Sequence, residues 1–196
     1  MLNLKQWFIR EHVGILKFSN MYDILDPSSK KVIGFAKEEV PAWNHLLRLI
    51  VSKQMLPTSV RISEGGDENN PGNLLFEIKR GFNIGFRTKV DILNSKGEIV
   101  GYFQKVVLSL GGKFLVFNAS GTQVATLAGD WKGWDFRFTD SAGKELGRVS
   151  KEWSGLGKEL FTTADNYIVS INEENPALAI LLLAAGLAID TIFKEN

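Results

Sequence analysis

An uninterrupted apolar segment near the carboxyl end limits what this chain can fold into. Every residue from Ala177 to Ile189 is apolar or glycine, and Asp190 follows directly. A helix that is apolar on all sides must be hidden, either in a bilayer or inside protein. These thirteen residues would span about 20 Å as a helix, whereas the hydrocarbon core of a bilayer is about 30 Å thick. The segment therefore favours a helix enclosed by protein, with a membrane-embedded helix as the alternative.

Four segments that precede this helix repeat one pattern of strand, turn and strand. Each has an apolar strand pattern, an Asp or Asn that opens a turn, and a second strand; the segments are Tyr22–Lys37, Val90–Lys105, Phe114–Gly129 and Phe136–Lys151. This turn chemistry is typical of β-hairpins. Glycines within the returning strands, such as Gly101 and Gly147, indicate a bend or the close approach of another segment.

Between the first two repeats lies an insertion of different character. Glu38–Met55 has the spacing of an amphipathic helix, with Pro41 at a first-turn position, and Ser63–Asn73 has the composition of a polar loop. Many short antiparallel strands with one apolar helix favour a closed or nearly closed barrel. The predicted fold class is mainly β: an antiparallel barrel of about 12 strands that encloses the C-terminal helix, plus an amphipathic helix near residues 40–55.

The amino-acid composition excludes several classes of function. The chain has 196 residues, which suits a single domain over 1–196, and its net charge of +1 gives no overall attraction to nucleic acid. It has no cysteine and only two histidines, His12 and His45, and no catalytic triad, paired-carboxylate motif or metal-ligand spacing is present. We therefore expect a protein that is not an enzyme and uses no cofactor. The first residues lack the features of a signal peptide, so the expected location is cytoplasmic.

Two further motifs carry a family resemblance. Val149–Leu156 reads Val-Ser-Lys-Glu-Trp-Ser-Gly-Leu, and Phe161–Tyr167 reads Phe-Thr-Thr-Ala-Asp-Asn-Tyr. Followed by the apolar helix, they resemble the C-terminal half of phospholipid scramblases and LURP-one-related proteins, which belong to the Tubby C-terminal-like superfamily. The resemblance covers about residues 15–193. It implies a barrel of about twelve strands wrapped around the C-terminal helix.

The resemblance also implies a function. It suggests a non-enzymatic domain that binds lipid head groups or associates peripherally with a membrane, with an anionic phospholipid or a phosphoinositide as partner. One alternative is a soluble interaction or scaffold protein without a lipid ligand. Another is a phospholipid scramblase that translocates lipid, which would require the apolar helix to span the bilayer.

Tubby domains bind phosphoinositides through lysines and arginines on the barrel, and the corresponding candidates here are basic residues close to strand ends. They are Lys79, Arg80, Arg87, Lys89, Lys105 and Lys132. Such a cluster could form an anion site for a lipid head group. The alternative is a solvated strand face with cations that protect against edge pairing, which is the commoner origin of such a pattern.

Two acidic features complete the set of candidate sites. Scramblases carry a Ca²⁺-associated segment before the helix; Asp165 and Asn166 match its start, Glu173 falls among its later positions, and Thr163 replaces an expected Asp. Since Ca²⁺ takes six or more oxygen ligands, we expect no metal site. Asp190, at the end of the apolar run, must be paired, hydrogen-bonded or protonated if buried. We expect it to be a buried polar anchor near one mouth of the barrel, with a ligand site or a solvent-exposed helix end as alternatives.

Overall fold

The computed structural model describes residues 1–12, 19–39, 56–82, 88–106, 112–130, 133–151 and 166–193. In these ranges the chain forms twelve strands, one α-helix and a final π-helical turn. The strands are β1 (Gln6–Glu11), β2 (Met21–Leu25), β3 (Val32–Glu39), β4 (Thr58–Glu64), β5 (Asn73–Arg80), β6 (Lys89–Asn94), β7 (Ile99–Lys105), β8 (Lys113–Asn118), β9 (Gln123–Asp130), β10 (Asp135–Thr139), β11 (Glu145–Ser150) and β12 (Tyr167–Ile171). Helix α1 covers Pro176–Ala188, and the π-helical turn covers Ile189–Phe193.

The strands form a closed antiparallel barrel. Each strand pairs with the next one in sequence, and β12 pairs with β1 to close the ring. The four repeats are the hairpins β2–β3, β6–β7, β8–β9 and β10–β11. The predicted barrel is therefore confirmed, as are the hairpins that build it.

Helix α1 lies inside the barrel. Asn175 caps its first turn by accepting hydrogen bonds from the backbone of Ala177 and Leu178, and Pro176 occupies the first helical position. Leu182, Leu183 and the residues that follow up to Ile189 are buried. Among the residues described, no helix is both long enough and apolar enough to cross a membrane.

The direction of α1 distinguishes the two ends of the barrel. The turns at 26–31, 65–72, 95–98, 119–122 and 140–144 lie at the end where α1 begins, which we call the turn end. The π-helical turn Ile189–Phe193 lies at the opposite end, which we call the exit end.

Two strand glycines make room for α1. A Cβ atom on Gly147 would lie 2.1 Å from Cδ2 of Leu182, and one on Gly101 would lie 2.8 Å from Cδ2 of Leu181. Any side chain at these positions would therefore collide with the helix. The close approach predicted from the strand glycines is confirmed.

The returning strand of five hairpins contains one extra residue near the turn end. These bulge residues are Ile33, Leu75, Val100, Val124 and Leu146. All five are aliphatic, half-buried and packed against the core. A bulge bends its strand and increases the local twist. Because the five bulges all lie near the turn end, together they help the sheet to curve into a barrel.

The insertion differs in part from its prediction. Glu38 and Glu39 end strand β3 and do not begin a helix. Glu38 is buried, and its carboxylate accepts hydrogen bonds from Thr58 Oγ1 at 2.9 Å and from the backbone N–H of Asn20 at 3.1 Å, which offset the cost of burying it. The rest of the predicted helix, residues 40–55, lies outside the described residues. Ser63 and Glu64 belong to β4, so the polar loop begins only at Gly65.

Candidate functional site

The candidate cations Lys79 and Arg80 lie on opposite faces of β5. Successive side chains of a strand alternate between its faces, and Arg80 has the same parity as the core residues Phe76 and Ile78. Arg80 is only 6% exposed and donates hydrogen bonds to the carbonyl oxygens of Leu56 at 2.9 Å and Ile192 at 3.3 Å. The prediction that Arg80 belongs to a surface cluster is wrong. Its hydrogen bonds instead join the end of the helical segment to the barrel wall.

The exit end carries a row of lysines on four neighbouring strands. Three of them, Lys79, Lys89 and Lys105, were candidates from the sequence, and Lys113 at the start of β8 joins them. We call these four residues the lysine arc. Lys79, Lys89 and Lys113 lie on the outer face, whereas Lys105 shares the inner-face parity of Phe103 and is half-buried at the mouth of the barrel. Sequence reasoning missed Lys113, although it lies only eight positions after Lys105 and directly precedes the third repeat. Arg87 and Lys132 lie outside the described residues.

Two lysines of the arc are paired with carboxylates on their own strands. Lys79 Nζ lies 3.0 Å from Glu77 Oε2, and Lys89 Nζ lies 2.7 Å from Asp91 Oδ1. Lys89 Nζ also lies 4.4 Å from the ring centroid of Tyr102. Exposed ion pairs of this kind contribute little to stability. These contacts therefore orient the ammonium groups but can be exchanged for another anionic partner.

The turn end has the opposite electrostatic character. Segments 1–5, 26–31, 64–72, 95–98, 119–122, 140–145 and 172–175 contain five lysines and nine carboxylate side chains, a net charge of −4. A negatively charged surface is therefore repelled by the turn end.

Asp190 lies at the exit end, inside the barrel. It is 5% exposed, and its Oδ2 accepts a hydrogen bond of 2.7 Å from the Tyr22 hydroxyl on β2. Burial, followed by the nearby Asp190 carboxylate, raises the pKa of Tyr22 well above its usual value. Burial likewise raises the pKa of Tyr167. The Tyr22 hydroxyl therefore keeps its proton and can serve as a donor to Asp190.

The buried tyrosines predict a loss of stability in alkaline solution. The unfolded chain releases phenolic protons near pH 10, whereas the folded protein retains them to higher pH. The two tyrosines therefore contribute their full stabilisation below about pH 10. As the pH rises from there toward the raised folded-state pKa, the free energy of unfolding falls by about 1.4 kcal/mol per pH unit for each tyrosine. Urea unfolding at a series of pH values should show this slope, and Tyr22→Phe should remove one tyrosine's share. An unchanged slope in both Tyr22→Phe and Tyr167→Phe would contradict the assignment.

The two described residues considered for Ca²⁺ do not come together. Asn166 precedes β12 at the exit end, and Glu173 follows β12 at the turn end, about 20 Å away along an extended strand. Glu173 is instead paired with Lys144, and Asp165 lies outside the described residues. Within the described ranges, no group of three or more His, Cys, Asp or Glu side chains could hold a metal ion.

Comparison with known proteins identifies the family. The family model described as Scramblase matches residues 12–196. Phospholipid scramblase 2 from Homo sapiens is 26% identical over 193 residues, an alignment that covers 91% of this chain and 61% of that protein. The chain therefore spans about three-fifths of the length of this curated relative. No solved structure matches it. With the family model matched over nearly its whole length, the chain belongs to the scramblase family.

Proposed function

We propose that this protein is a non-enzymatic phospholipid-binding protein whose lysine arc contacts anionic head groups at a membrane surface. The observation that carries the proposal is the row of four lysines at the exit end, opposite the acidic turn end. Membership of the scramblase family supports phospholipid as the ligand class, and the human relative bears the name of a phospholipid scramblase.

The energetics of the arc suit reversible binding at a membrane. A lysine close to an anionic leaflet contributes about 1 kcal/mol, and phosphoinositides, with several phosphate charges, attract clustered lysines most strongly. Phe82, which follows β5 at the exit end, is 60% exposed and adds an apolar contact at the same place. Because the attraction acts over a Debye length of about 10 Å at 0.1 M salt, binding should weaken as salt is added.

A pair of matched variants tests the proposal. Changing Lys79, Lys89, Lys105 and Lys113 together to Gln should lower binding to anionic vesicles by at least about tenfold. The control changes Lys5, Lys30, Lys31 and Lys96 to Gln, which removes the same charge from the turn end and should leave binding within about twofold of the parent. Flotation with phosphatidylcholine vesicles, with and without phosphatidylserine or phosphatidylinositol bisphosphate, measures both.

Two outcomes would contradict the proposal. Equal losses in the two variants would show that only net charge matters and that the arc is not a site. A parent protein that binds no anionic vesicle at low ionic strength would instead favour an interaction protein without a lipid ligand.

A further inference from the structure

The outer face of β6, β7 and β8 carries a contiguous apolar surface that the barrel core does not use. We call this surface the flank, and it consists of Leu93, Ile99, Tyr102, Leu115 and Phe117. None of the five belongs to the core cluster or packs against it, although four are half-buried and Ile99 is exposed. They therefore pack on the outside of the barrel wall.

Strand register joins these residues into one surface. Leu93 is directly opposite Ile99, and Tyr102 is directly opposite Phe117. The rings of Tyr102 and Phe117 are stacked with centroids 4.6 Å apart. In the next row toward the exit end, Lys89, Gln104 and Leu115 lie side by side. The flank thus runs along the strands and ends in the lysine arc.

Two carboxylates along this surface are paired with lysines. Asp91 lies opposite Tyr102 and is paired with Lys89, while Glu77 lies opposite Leu93 and is paired with Lys79. Toward the exit end, an anionic surface that approaches the flank therefore meets aromatic and aliphatic groups bordered by lysines. At the turn end, Ile99 lies beside the exposed Glu98, whose carboxylate accepts a hydrogen bond of 2.7 Å from Asn94 Nδ2.

The most exposed apolar side chains indicate an orientation. Among the residues described, the large hydrophobic side chains with substantial exposure are Phe82 at 60%, Ile99 at 46% and Val32 at 45%. Phe82 follows β5 at the exit end, and Ile99 begins β7 at the turn end. Two of the three therefore mark opposite ends of the same side of the barrel, with the stacked Tyr102 and Phe117 between them.

We propose that the protein lies on its side against the membrane, with the flank in contact with the boundary between head groups and acyl chains. This inference rests on the proposed function and adds the face and the orientation. Aromatic and aliphatic groups occupy that boundary, while lysine stems lie along apolar surface and extend their ammonium groups to the phosphates. An end-on arrangement would use the lysine arc and Phe82 but would leave Ile99 in water.

Single-cysteine labelling separates these arrangements cleanly, because the chain contains no cysteine of its own. Ile99→Cys and Val32→Cys form a matched pair, since both replace similarly exposed aliphatic residues that begin a returning strand at the turn end. Their strands are four positions apart in the barrel of twelve, so only one of them can face the bilayer. Phe82→Cys reports contact in either orientation. Each variant carries an environment-sensitive fluorophore and is mixed with phosphatidylcholine–phosphatidylserine vesicles that contain nitroxide-labelled lipid.

Side-on binding predicts that the labels at positions 82 and 99 shift to shorter wavelength and are quenched by the nitroxide, while the label at position 32 is not. If position 82 responds and position 99 stays in water, the protein binds end-on and the side-on inference fails, although the proposed function stands. If positions 32 and 99 respond equally, the flank is not the contact face. If unlabelled protein binds no vesicle, it is the proposed function that fails.

A substitution test uses the same pair of positions. Ile99→Glu should weaken vesicle partitioning about fivefold, because it replaces an apolar contact by a charge repelled from the surface. Val32→Glu should change partitioning by less than about twofold. Unchanged circular dichroism and thermal unfolding of both variants would confirm that each is folded, and equal partitioning of the two would overturn the inference.

Discussion

Replacing Gly147 by alanine should destabilise the protein by about 3 kcal/mol, at the upper end of the cost of overpacking a core. The added Cβ would lie 2.1 Å from Cδ2 of Leu182 and 2.3 Å from the carbonyl oxygen of Ser170. A leucine methyl group can rotate away, but the Ser170 carbonyl belongs to β12, which pairs with β11 along its length. The strain must therefore separate the two strands or move α1. Urea denaturation monitored by circular dichroism would measure the change in free energy of unfolding.

Alanine substitutions at two other glycines serve as controls for this loss of stability. Apart from its chain neighbours, no described residue has an atom within 4 Å of a Cβ built on Gly81, so Gly81→Ala should change stability by no more than about 0.5 kcal/mol. Gly101→Ala should fall between the two, since its Cβ would meet the Phe117 carbonyl oxygen at 2.7 Å and Leu181 at 2.8 Å. If Gly147→Ala behaved like Gly81→Ala, α1 would not be packed against β11 in solution.

Replacing Arg80 by methionine should cost about 3 kcal/mol of stability. The substitution keeps much of the side-chain volume but removes the donors to the carbonyl oxygens of Leu56 and Ile192. Hydrogen bonds from a charged group contribute about 1.5–3 kcal/mol each, and a buried acceptor that loses its donor is costly. The same denaturation experiment would measure the loss.

The adjacent residue gives a control with the same change of side chain. Lys79→Met alters a cation on the outer face and should change stability by no more than about 0.5 kcal/mol, while weakening binding to anionic vesicles. Arg80→Met should leave vesicle binding of the folded protein within about twofold of the parent. The reverse result, with Arg80→Met affecting binding and Lys79→Met affecting stability, would contradict the placement of the two residues.

Local patterns were sufficient to predict most of the barrel. The hairpins follow from an alternation of apolar residues interrupted by Asn or Asp turns, and that information lies within about twenty residues of chain. The enclosed helix follows from a length too short for a bilayer in a chain otherwise rich in strands. Both features depend on residues close together in sequence.

Features that depend on pairing between distant segments were harder to predict. Tyr22 and Asp190 are 168 positions apart, and nothing in either neighbourhood identifies the other as its partner. Arg80 is different, since its parity with Phe76 and Ile78 was visible in the sequence and already indicated the inner face. The bulges lie within hairpins, but an extra residue can be recognised only once the register against the partner strand is known.

The closure of the barrel by β1 and β12 sets an order on folding during synthesis. Strand β1 is made early, but its partner β12 and the enclosed helix α1 are made after all the other strands. Until then the growing sheet exposes an apolar inner face with nothing to fill it. Contacts between segments so far apart in sequence form slowly, and exposed apolar surface favours aggregation. The nascent protein should therefore depend on chaperones until residues 176–193 have emerged, and its final folding step should be the wrapping of the sheet around the helix.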